Sequence, residues 1–225
     1  MNILEFNEVS KVYGQDKAGI HNVSFSIQKG ELIALAGPSG SGKTTALNIA
    51  AGLDDFSLGE VKLLEQSLKY LNSDEVLELR RGQVGFIFQS YNLFPVLTVL
   101  ENVEYPLALK GMKRNERLQK AKEWIKEVGL QGLEHRKPAE LSGGQQQRVA
   151  VARAMVTEPK IVFADEPTAN LDAATAEMLL QLFQRLNEIN GTTFIFSSHD
   201  PRVIKFADRV ITLTDGKVVG PDDLN

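Results

Sequence analysis

Two kinds of apolar pattern along the chain predict two kinds of β-strand. Residues 3–12 and 22–28 alternate apolar and polar side chains, as half-exposed antiparallel strands do. Short, uninterrupted apolar runs are instead typical of buried parallel strands. Four such runs occur, at residues 32–36, 84–88, 161–164 and 194–196. Residues 59–66 predict a further strand, and the end of the chain predicts a hairpin around Asp215 and Gly216.

Stretches with helical character separate these strands. Helices are predicted over residues 43–52, 73–81, 98–110, 115–128 and 173–190, from residues 141–145 to about Thr157, and from Asp200 and Pro201 onwards. The basic residues of the 115–128 helix indicate a solvated face more than a nucleic-acid site. Because residues 90–157 interrupt the alternation of strands and helices, we expect them to form an inserted helical lobe. The core of a single domain, 1–225, would then comprise residues 1–89 and 158–225.

A glycine-rich loop between the 32–36 run and the next helix carries the clearest chemical signal. Glycines let successive backbone N–H groups point into one anion-sized hollow, and the following helix adds its positive N-terminal end. Lys43 can reach the β- and γ-phosphates of a nucleotide, and the Thr44 hydroxyl can bind Mg²⁺. A flexible glycine turn is the alternative, but the strand before the loop and the helix after it favour phosphate binding. The residues that match G-x-x-x-x-G-K-[ST] are Gly37, Pro38, Ser39, Gly40, Ser41, Gly42, Lys43 and Thr44.

Polar residues directly follow three other apolar runs. Gln89 follows residues 84–88, Asp165 and Glu166 follow residues 161–164, and His199 comes two serines after residues 194–196. The carboxyl ends of parallel strands share one edge of a sheet, and ligands bind at that edge. We therefore expect these side chains to lie beside the glycine-rich loop.

Each of these side chains has a role in nucleotide hydrolysis and a structural alternative. Asp165 is suited to hold Mg²⁺ through water, and Glu166 is suited to orient or deprotonate the attacking water. The alternative is that both acids cap the turn before Pro167. His199 predicts a γ-phosphate sensor more than a histidine satisfied within the fold. Gln89 could contact Mg²⁺ or the attacking water, although its position alone favours a solvated loop amide.

Residues 141–145 support two interpretations. Ser142 and Gln145 have the spacing of a capping box at the start of a helix. Gly143 and Gly144, however, leave that helix end bare enough to receive a phosphate. Because the glycine-rich loop already serves one nucleotide, a second phosphate-binding helix end suggests binding to the ATP of a second subunit.

Two other positions remain open on the residues alone. Asp172 comes directly before the predicted 173–190 helix and is compatible with a simple N-cap. Tyr13 ends the first strand, where it is either an ordinary strand-end aromatic or a ring on which an adenine stacks.

Composition narrows the function classes. The 225 residues, of which 43% are hydrophobic, suit one domain with a sizeable core. The absence of cysteine excludes disulfides and thiolate chemistry, and the net charge of −4 does not favour nucleic acid or anionic lipid. The N-terminus has no signal-peptide apolar core, and no apolar run approaches ~20 residues. A membrane role is therefore expected only through a partner.

These motifs together resemble those of the ATP-binding-cassette (ABC) ATPases over nearly the whole chain. Their order is specific to that family: the loop at 37–44, Gln89, the Leu-Ser-Gly-Gly-Gln signature at 141–145, Asp165 and Glu166, Asn170-Leu171-Asp172, and His199. The resemblance implies an α/β fold with a P-loop NTPase core, whose mainly parallel sheet is flanked by helices. It also implies an antiparallel β subdomain and an inserted α-helical lobe that carries the signature.

The resemblance assigns roles to matching positions. Catalytic roles are implied for Glu166, His199, Gln89 and Lys43, and Mg²⁺-binding roles for Thr44, Gln89 and Asp165. ATP-binding roles are implied for Tyr13, for residues 37–44, for Thr45 and, towards the ATP of a second subunit, for Ser142, Gly143, Gly144, Gln145 and Asp172.

Residues 86–111 are similar to the LolD-, MacB- and FtsE-like branch, which serves lipoprotein release, macrolide and peptide export, and cell division. Ser197 and Ser198 depart from its more usual apolar–threonine pair. The branch implies a transporter subunit that uses ATP and Mg²⁺, homodimerises on ATP binding and does not bind nucleic acid. It would lie on the cytoplasmic face of the inner membrane, against a four-helix permease-type subunit with a large periplasmic domain. The alternatives are a non-transport regulator that signals through a membrane partner to a cell-wall enzyme, and a soluble ABC ATPase that acts on DNA or ribosomes.

Overall fold

The computed structural model describes residues 1–14 and 17–219, the side chains of residues 17 and 18 excepted. Its strands are β1 (Asn2–Tyr13), β2 (Lys17–Gln28), β3 (Leu32–Ala36), β4 (Leu58–Leu63), β5 (Gln66–Ser67), β6 (Val84–Ile87), β7 (Ile161–Asp165), β8 (Thr193–Ser197), β9 (Arg209–Thr214) and β10 (Lys217–Val219). Its α-helices are α1 (Lys43–Ala50), α2 (Ser73–Arg80), α3 (Val99–Leu109), α4 (Arg114–Glu127), α5 (Gly143–Met155), α6 (Ala173–Asn190) and α7 (Pro201–Phe206). Short 3₁₀ turns cover Leu68–Tyr70 and Pro138–Glu140.

A six-stranded sheet forms the centre of the fold, in the order β10-β9-β3-β8-β7-β6. Strands β9, β3, β8, β7 and β6 run parallel, and β10 joins β9 as an antiparallel hairpin. All five residues of β3 and of β8 are buried, as expected for parallel strands covered on both faces. The mainly parallel α/β core predicted from the apolar runs is confirmed.

A second sheet is antiparallel, in the order β2-β1-β4-β5. The pattern of residues 3–12 predicted this sheet, although the alternation of burial along β1 is interrupted: Ile3 and Leu4 are both buried, and Lys11 is buried while Val12 is exposed. The strand predicted over 59–66 is interrupted, because Leu64 and Glu65 adopt left-handed backbone angles (φ 52° and 68°) and turn the chain into β5. The predicted buried strand 84–88 is also shorter, and as the edge strand β6 it alternates between buried and half-buried residues.

Two apolar cores lie on the two faces of the central sheet. Successive residues of a strand point to opposite faces, so Phe194 and Phe196 of β8 enter one core and Ile195 enters the other. The first core also holds buried side chains from α3, α4, α5 and α6. The second core holds α1 and the antiparallel sheet. The helical segment thus packs directly on the sheet that carries the strand-end residues.

Across residues 1–14 and 17–219, no helix combines the length and the apolar character needed to span a bilayer.

We expect Phe196→Ala to lower the free energy of unfolding by about 3–5 kcal/mol, the usual cost of truncating a buried aromatic. Phe196 is fully buried, and its ring centroid lies 5.2 Å from that of Phe183 and 5.9 Å from that of Phe206. Met178→Ala on the exposed side of α6 should change stability by no more than about 0.5 kcal/mol. Urea denaturation followed by circular dichroism measures both, and equal losses would contradict this assignment of the core.

Candidate functional site

The loop between β3 and α1 has a backbone that only glycine allows at two positions. A Cβ on Gly37 (φ 144°) would collide with the carbonyl oxygen of Leu213, and a Cβ on Gly42 (φ 98°) would lie 2.5 Å from the carbonyl oxygen of Gly19. Gly42 is the N-cap of α1 and provides no side-chain cap. The first turn of α1 contains no acidic residue, so its positive end and its N–H groups are available to an anion.

This loop borders a cavity of about 810 Å³, a size typical of small-molecule sites. Most of the residues predicted to bind or hydrolyse the nucleotide line it together. They are Tyr13, Ser39, Gly40, Gly42, Lys43, Thr44, Thr45, Gln89, Glu166 and His199, and they are joined by Gly19.

The remaining loop residues, Gly37, Pro38 and Ser41, do not line the cavity but lie behind the residues that do. The Lys43 ammonium donates to the carbonyl oxygens of Gly37 and Pro38, both at 2.8 Å. An ammonium has three N–H donors, so one remains for a ligand. Ser41 is buried, and its hydroxyl has no hydrogen-bond partner among the described residues.

Asp165 lies at the end of β7 and meets the first turn of α1. The Thr44 hydroxyl donates to Asp165 Oδ1 at 3.2 Å. Burial raises the pKa of Asp165 above its ordinary value, because a carboxylate loses hydration there. A nearby positive charge would stabilise the buried Asp165 carboxylate. This carboxylate and the Thr44 hydroxyl together therefore suit the binding of a cation.

The oxygen donors at this position suit Mg²⁺ in particular. No cluster of three or more histidine, cysteine or acidic residues that could enclose a metal ion occurs in the described ranges. Mg²⁺ is usually held by one or two protein oxygens together with phosphate oxygens and water. Thr44 and Gln89 line the cavity, and Asp165 does not line it but contacts the Thr44 hydroxyl. These three residues therefore fit this ion.

Glu166 is held by both of its carboxylate oxygens. His199 Nδ1 lies 2.7 Å from Oε1, and the Ser198 hydroxyl donates to Oε2 at 3.1 Å. The backbone of Glu166 is left-handed (φ 45°), and its N–H donates to the carbonyl oxygen of Ser197 at 2.8 Å. This conformation turns the chain directly after β7. The Glu166 side chain is 14% exposed and that of His199 is 71% exposed, so the pair connects a fixed carboxylate to the open cavity.

The signature residues lie elsewhere. Among the described residues that line the cavity, none belongs to 141–145. Ser142 and Gln145 form a complete capping box: the Ser142 hydroxyl accepts from the Gln145 N–H, and Gln145 Oε1 accepts from the Ser142 N–H. A Cβ on Gly143 would lie 3.0 Å from the Tyr91 hydroxyl, and one on Gly144 would collide with Thr175.

Asp172 also adopts the structural role that its position suggested. It is the N-cap of α6, where it accepts from the Thr175 N–H at 2.9 Å and from the Thr175 hydroxyl at 2.6 Å. These bonds lower its pKa below the ordinary value. Because Asp172 and Gly144 both contact Thr175, the starts of α5 and α6 lie side by side.

Several contacts that support the site were not predicted from the sequence. Asn170 Nδ2 donates to the carbonyl oxygen of Gln89, and Arg153 donates to those of Tyr91 and Asn92. These contacts fix the loop after β6. No local sequence pattern predicts them, because the partners are far apart in sequence. Ser198 could have been found, since it sits in the polar triplet that follows β8.

This fold, with a phosphate-binding loop and a Glu–His pair at the carboxyl edge of a parallel sheet, defines a P-loop nucleotide-binding protein. The family model described as ABC transporter matches residues 20–169, and the chain belongs to that family as an ABC ATPase cassette. The resemblance predicted from the motifs is thereby confirmed.

Named relatives agree with this family. An uncharacterized ABC transporter ATP-binding protein of Methanocaldococcus jannaschii, MJ0796, is 44% identical over 223 residues, which are 96% of this chain and 95% of that protein. The macrolide export ATP-binding/permease protein MacB of Mannheimia succiniciproducens is 41% identical over 222 residues, which are 97% of this chain but 34% of that protein. The chain thus spans about a third of the length of that MacB relative. A solved dimeric structure of the MJ0796 cassette in a post-hydrolysis state, bound to ADP and Pi, has a TM-score of 0.90 at 42% identity and covers 99% of both chains.

We expect Asp165→Asn to raise the melting temperature of the nucleotide-free protein at pH 7. Because the pKa of Asp165 is raised by burial, the folded chain binds a proton there more tightly than the unfolded chain. Stability is therefore lost as the pH rises above the ordinary value of 3.8, and an amide avoids this loss. Asp172→Asn is the control: its pKa is lowered, so that carboxylate is favourable at pH 7 and the variant should gain no stability. Thermal unfolding at several pH values measures both, and a lower melting temperature for Asp165→Asn would refute the prediction.

Proposed function

We infer that this chain is the ATP-binding and ATP-hydrolysing subunit that powers a separate membrane subunit of an ABC transporter. The observation that carries this proposal is the convergence of Lys43, Thr44, Glu166 and His199 on one cavity. Neither a nucleotide-storage protein nor a structural domain requires a fixed carboxylate–histidine pair opposite a phosphate-binding loop.

The nucleotide would span the cavity from Tyr13 to the start of α1. The adenine stacks on the Tyr13 ring, and the triphosphate accepts hydrogen bonds from the N–H groups of residues 37–44, with Thr45 beside them. The free donor of Lys43 reaches the β- and γ-phosphates. Mg²⁺ would be held by Thr44, by Gln89 and, through water, by Asp165, where it would neutralise charge on the β- and γ-phosphate oxygens.

Hydrolysis then depends on Glu166. Its carboxylate orients a water molecule and accepts its proton as the oxygen attacks the γ-phosphorus. The bond between that phosphorus and the β–γ bridging oxygen breaks, and ADP and phosphate result. His199 contacts one carboxylate oxygen of Glu166 and lines the cavity, so it can donate a hydrogen bond to the γ-phosphate. Positioning and charge stabilisation supply most of the catalysis in phosphoryl transfer.

A second copy would complete each site. The Ser142 hydroxyl accepts from the Gln145 N–H, which leaves its own proton free to donate to a phosphate. Gly143 and Gly144 add no side chain that would block the approach. The signature and Asp172 would therefore cover the ATP of the partner in a homodimer, as the dimeric state of the related MJ0796 cassette supports. Loss of the γ-phosphate after hydrolysis removes this bridge and opens the dimer.

An apolar groove offers a surface for the membrane subunit. It has a volume of about 640 Å³ and is lined by Phe88, Phe94, Tyr105, Leu109 and Arg153. The Phe94 and Tyr105 rings lie 4.8 Å apart and are each 39% exposed. Exposed aromatic rings that border an apolar groove are typical of protein-binding surfaces.

The groove is connected to α5, the helix that begins within the signature. Buried Asn102 holds the backbone of Phe94 through both its N–H and its carbonyl. Arg153 reaches from α5 to the carbonyl oxygens of Tyr91 and Asn92. Motion of α5 on dimer closure would therefore move the groove wall. We assign the groove to a four-helix permease-type subunit with a large periplasmic domain, which places the cassette on the cytoplasmic face of the inner membrane.

We expect Lys43→Ala to abolish ATP turnover, and Glu166→Gln to slow it by about 10²–10⁴-fold, the usual contribution of a general base. Glu166→Gln should still bind Mg·ATP and accumulate as a closed dimer, because the amide cannot accept the proton. Phosphate release measures the rate, and light scattering after size-exclusion chromatography measures the dimer. Exposed Glu116 of α4 provides the matched control, Glu116→Gln. Unaltered hydrolysis in Glu166→Gln would contradict the role of that carboxylate.

Tagged Glu166→Gln protein, incubated with Mg·ATP and detergent-solubilised native membranes, should recover a stoichiometric integral membrane protein with a periplasmic domain. Tyr105→Ser in that background should reduce recovery, because it removes a groove aromatic. Tyr70→Ser removes a tyrosine that lies outside the groove and is more exposed, at 77%, and it should not reduce recovery. Mass spectrometry identifies the co-purified chains. Recovery of soluble factors or nucleic acid alone, in several detergents, would refute the transport proposal.

A further inference from the structure

Asp54 links Tyr13 to a buried lysine at the edge of the nucleotide cavity. The Tyr13 hydroxyl donates to Asp54 Oδ2 at 2.6 Å. The other oxygen, Oδ1, accepts from Lys11 Nζ at 2.8 Å and from the Asp55 N–H at 2.9 Å. Hydrogen bonds to an ionised carboxylate are roughly twice as strong as neutral ones. The Tyr13 phenol is therefore attached to a group that is itself fixed.

Lys11 holds both the carboxylate and the ring. Its side chain is 9% exposed, and its charge is paired with Asp54 and Asp55. Its ammonium also lies 5.0 Å from the centroid of the Tyr13 ring, within the range of a cation–π attraction. The ring is thus held through its π-system as well as through its hydroxyl.

The protonation states agree with this geometry. Burial opposes ionisation of Asp54, but hydrogen bonds from Lys11 and Tyr13 outweigh it and lower the pKa of Asp54 below its ordinary value. Burial, together with the hydrogen bond to Asp54, raises the pKa of Tyr13. At neutral pH the carboxylate is therefore an acceptor and the phenol a donor.

The backbone of β2 closely approaches one edge of the ring at Gly19, where there is no room for a side chain. A Cβ on Gly19 would lie 2.7 Å from Tyr13 Cε2 and 2.9 Å from Thr45 Cγ2. Thr45 belongs to the first turn of α1, which follows the phosphate-binding loop. The ring is consequently fixed close to the triphosphate site, although Tyr13 is 41% exposed at the end of a strand.

We propose that Asp54, held by Lys11, is a positioning residue that fixes the Tyr13 ring for the adenine base before the nucleotide binds. The inference rests on the proposed stacking of adenine on Tyr13. Ordering one flexible side chain during binding weakens affinity by about two- to tenfold. The Asp54 anchor removes this cost, and it does so only for ligands that carry a base.

Isothermal titration calorimetry of the full chain tests the proposal with two ligands, Mg·ATP and Mg·tripolyphosphate, which lacks the base. Tyr13→Phe removes only the hydroxyl, and Asp54→Ala removes its acceptor. Each should weaken ATP binding about two- to tenfold and leave tripolyphosphate binding unchanged. The double variant should lose no more than either single variant, because both break the same contact. Asp55→Ala, which removes a carboxylate that contacts Lys11 but not Tyr13, should bind both ligands like the original protein.

Three results would overturn the proposal: full ATP affinity in Asp54→Ala, equal losses for ATP and tripolyphosphate, or additive losses in the double variant. Tyr13→Ala separates this failure from that of the underlying assignment. If Tyr13→Ala loses ATP affinity while Asp54→Ala does not, the ring binds the base without the anchor. If Tyr13→Ala binds ATP normally, the stacking role fails and the anchor has no function. Thermal unfolding of each variant verifies that the chain remains folded.

Discussion

The site depends on the register between parallel strands. Ser197 of β8 is the register partner of both Leu35 in β3 and Asp165 in β7. Two backbone hydrogen bonds hold the residues that follow. The Glu166 N–H donates to the carbonyl oxygen of Ser197, and the Ser198 N–H donates to that of Leu35. Three segments therefore start at the same level of the sheet: the glycine-rich loop, the pair Asp165 and Glu166, and the pair Ser198 and His199. A slip of one residue would send the side chains to the opposite face, and the site would not assemble.

Much of this arrangement can be predicted from the sequence, for a physical reason. Buried parallel strands leave continuous apolar runs, and their shared edge makes the residues that follow them neighbours. The sequence alone therefore predicts that one site contains Lys43, Asp165, Glu166 and His199. The Lys11–Asp54 pair could not be predicted, because Lys11 lies on β1, Asp54 lies in the loop after α1, and the two match no local motif. The break at Leu64 was missed as well, since an apolar side chain gives no sign of a left-handed turn.

The two helix starts that the sequence left open illustrate a different limit. Ser142 and Asp172 each cap a helix within their own chain, so the structural interpretation of both is satisfied. A cap uses the lone pair of a hydroxyl but not its proton, and a capped helix still has several unpaired N–H groups. Ser142 can therefore stabilise its own chain and still donate to a phosphate bound by another one, whereas the Asp172 carboxylate has no proton to donate. A sequence pattern cannot separate these roles, because both require the same residue at the same position.

The apolar core shared by α3–α6 and the central sheet has a consequence for how such cassettes diversify. Val103 and Ile125 of the helical segment belong to the same buried cluster as Phe194 and Phe196 of β8. The segment that faces the groove is therefore not an exchangeable module. A recombinant that takes α3–α5 from one relative and the strands from another inherits mismatched side-chain volumes along that boundary, and close-packed interiors tolerate such mismatches poorly. On the proposed docking of a membrane subunit in the groove, new partner specificity would be acquired more readily by substitutions at exposed groove positions than by exchange of the segment.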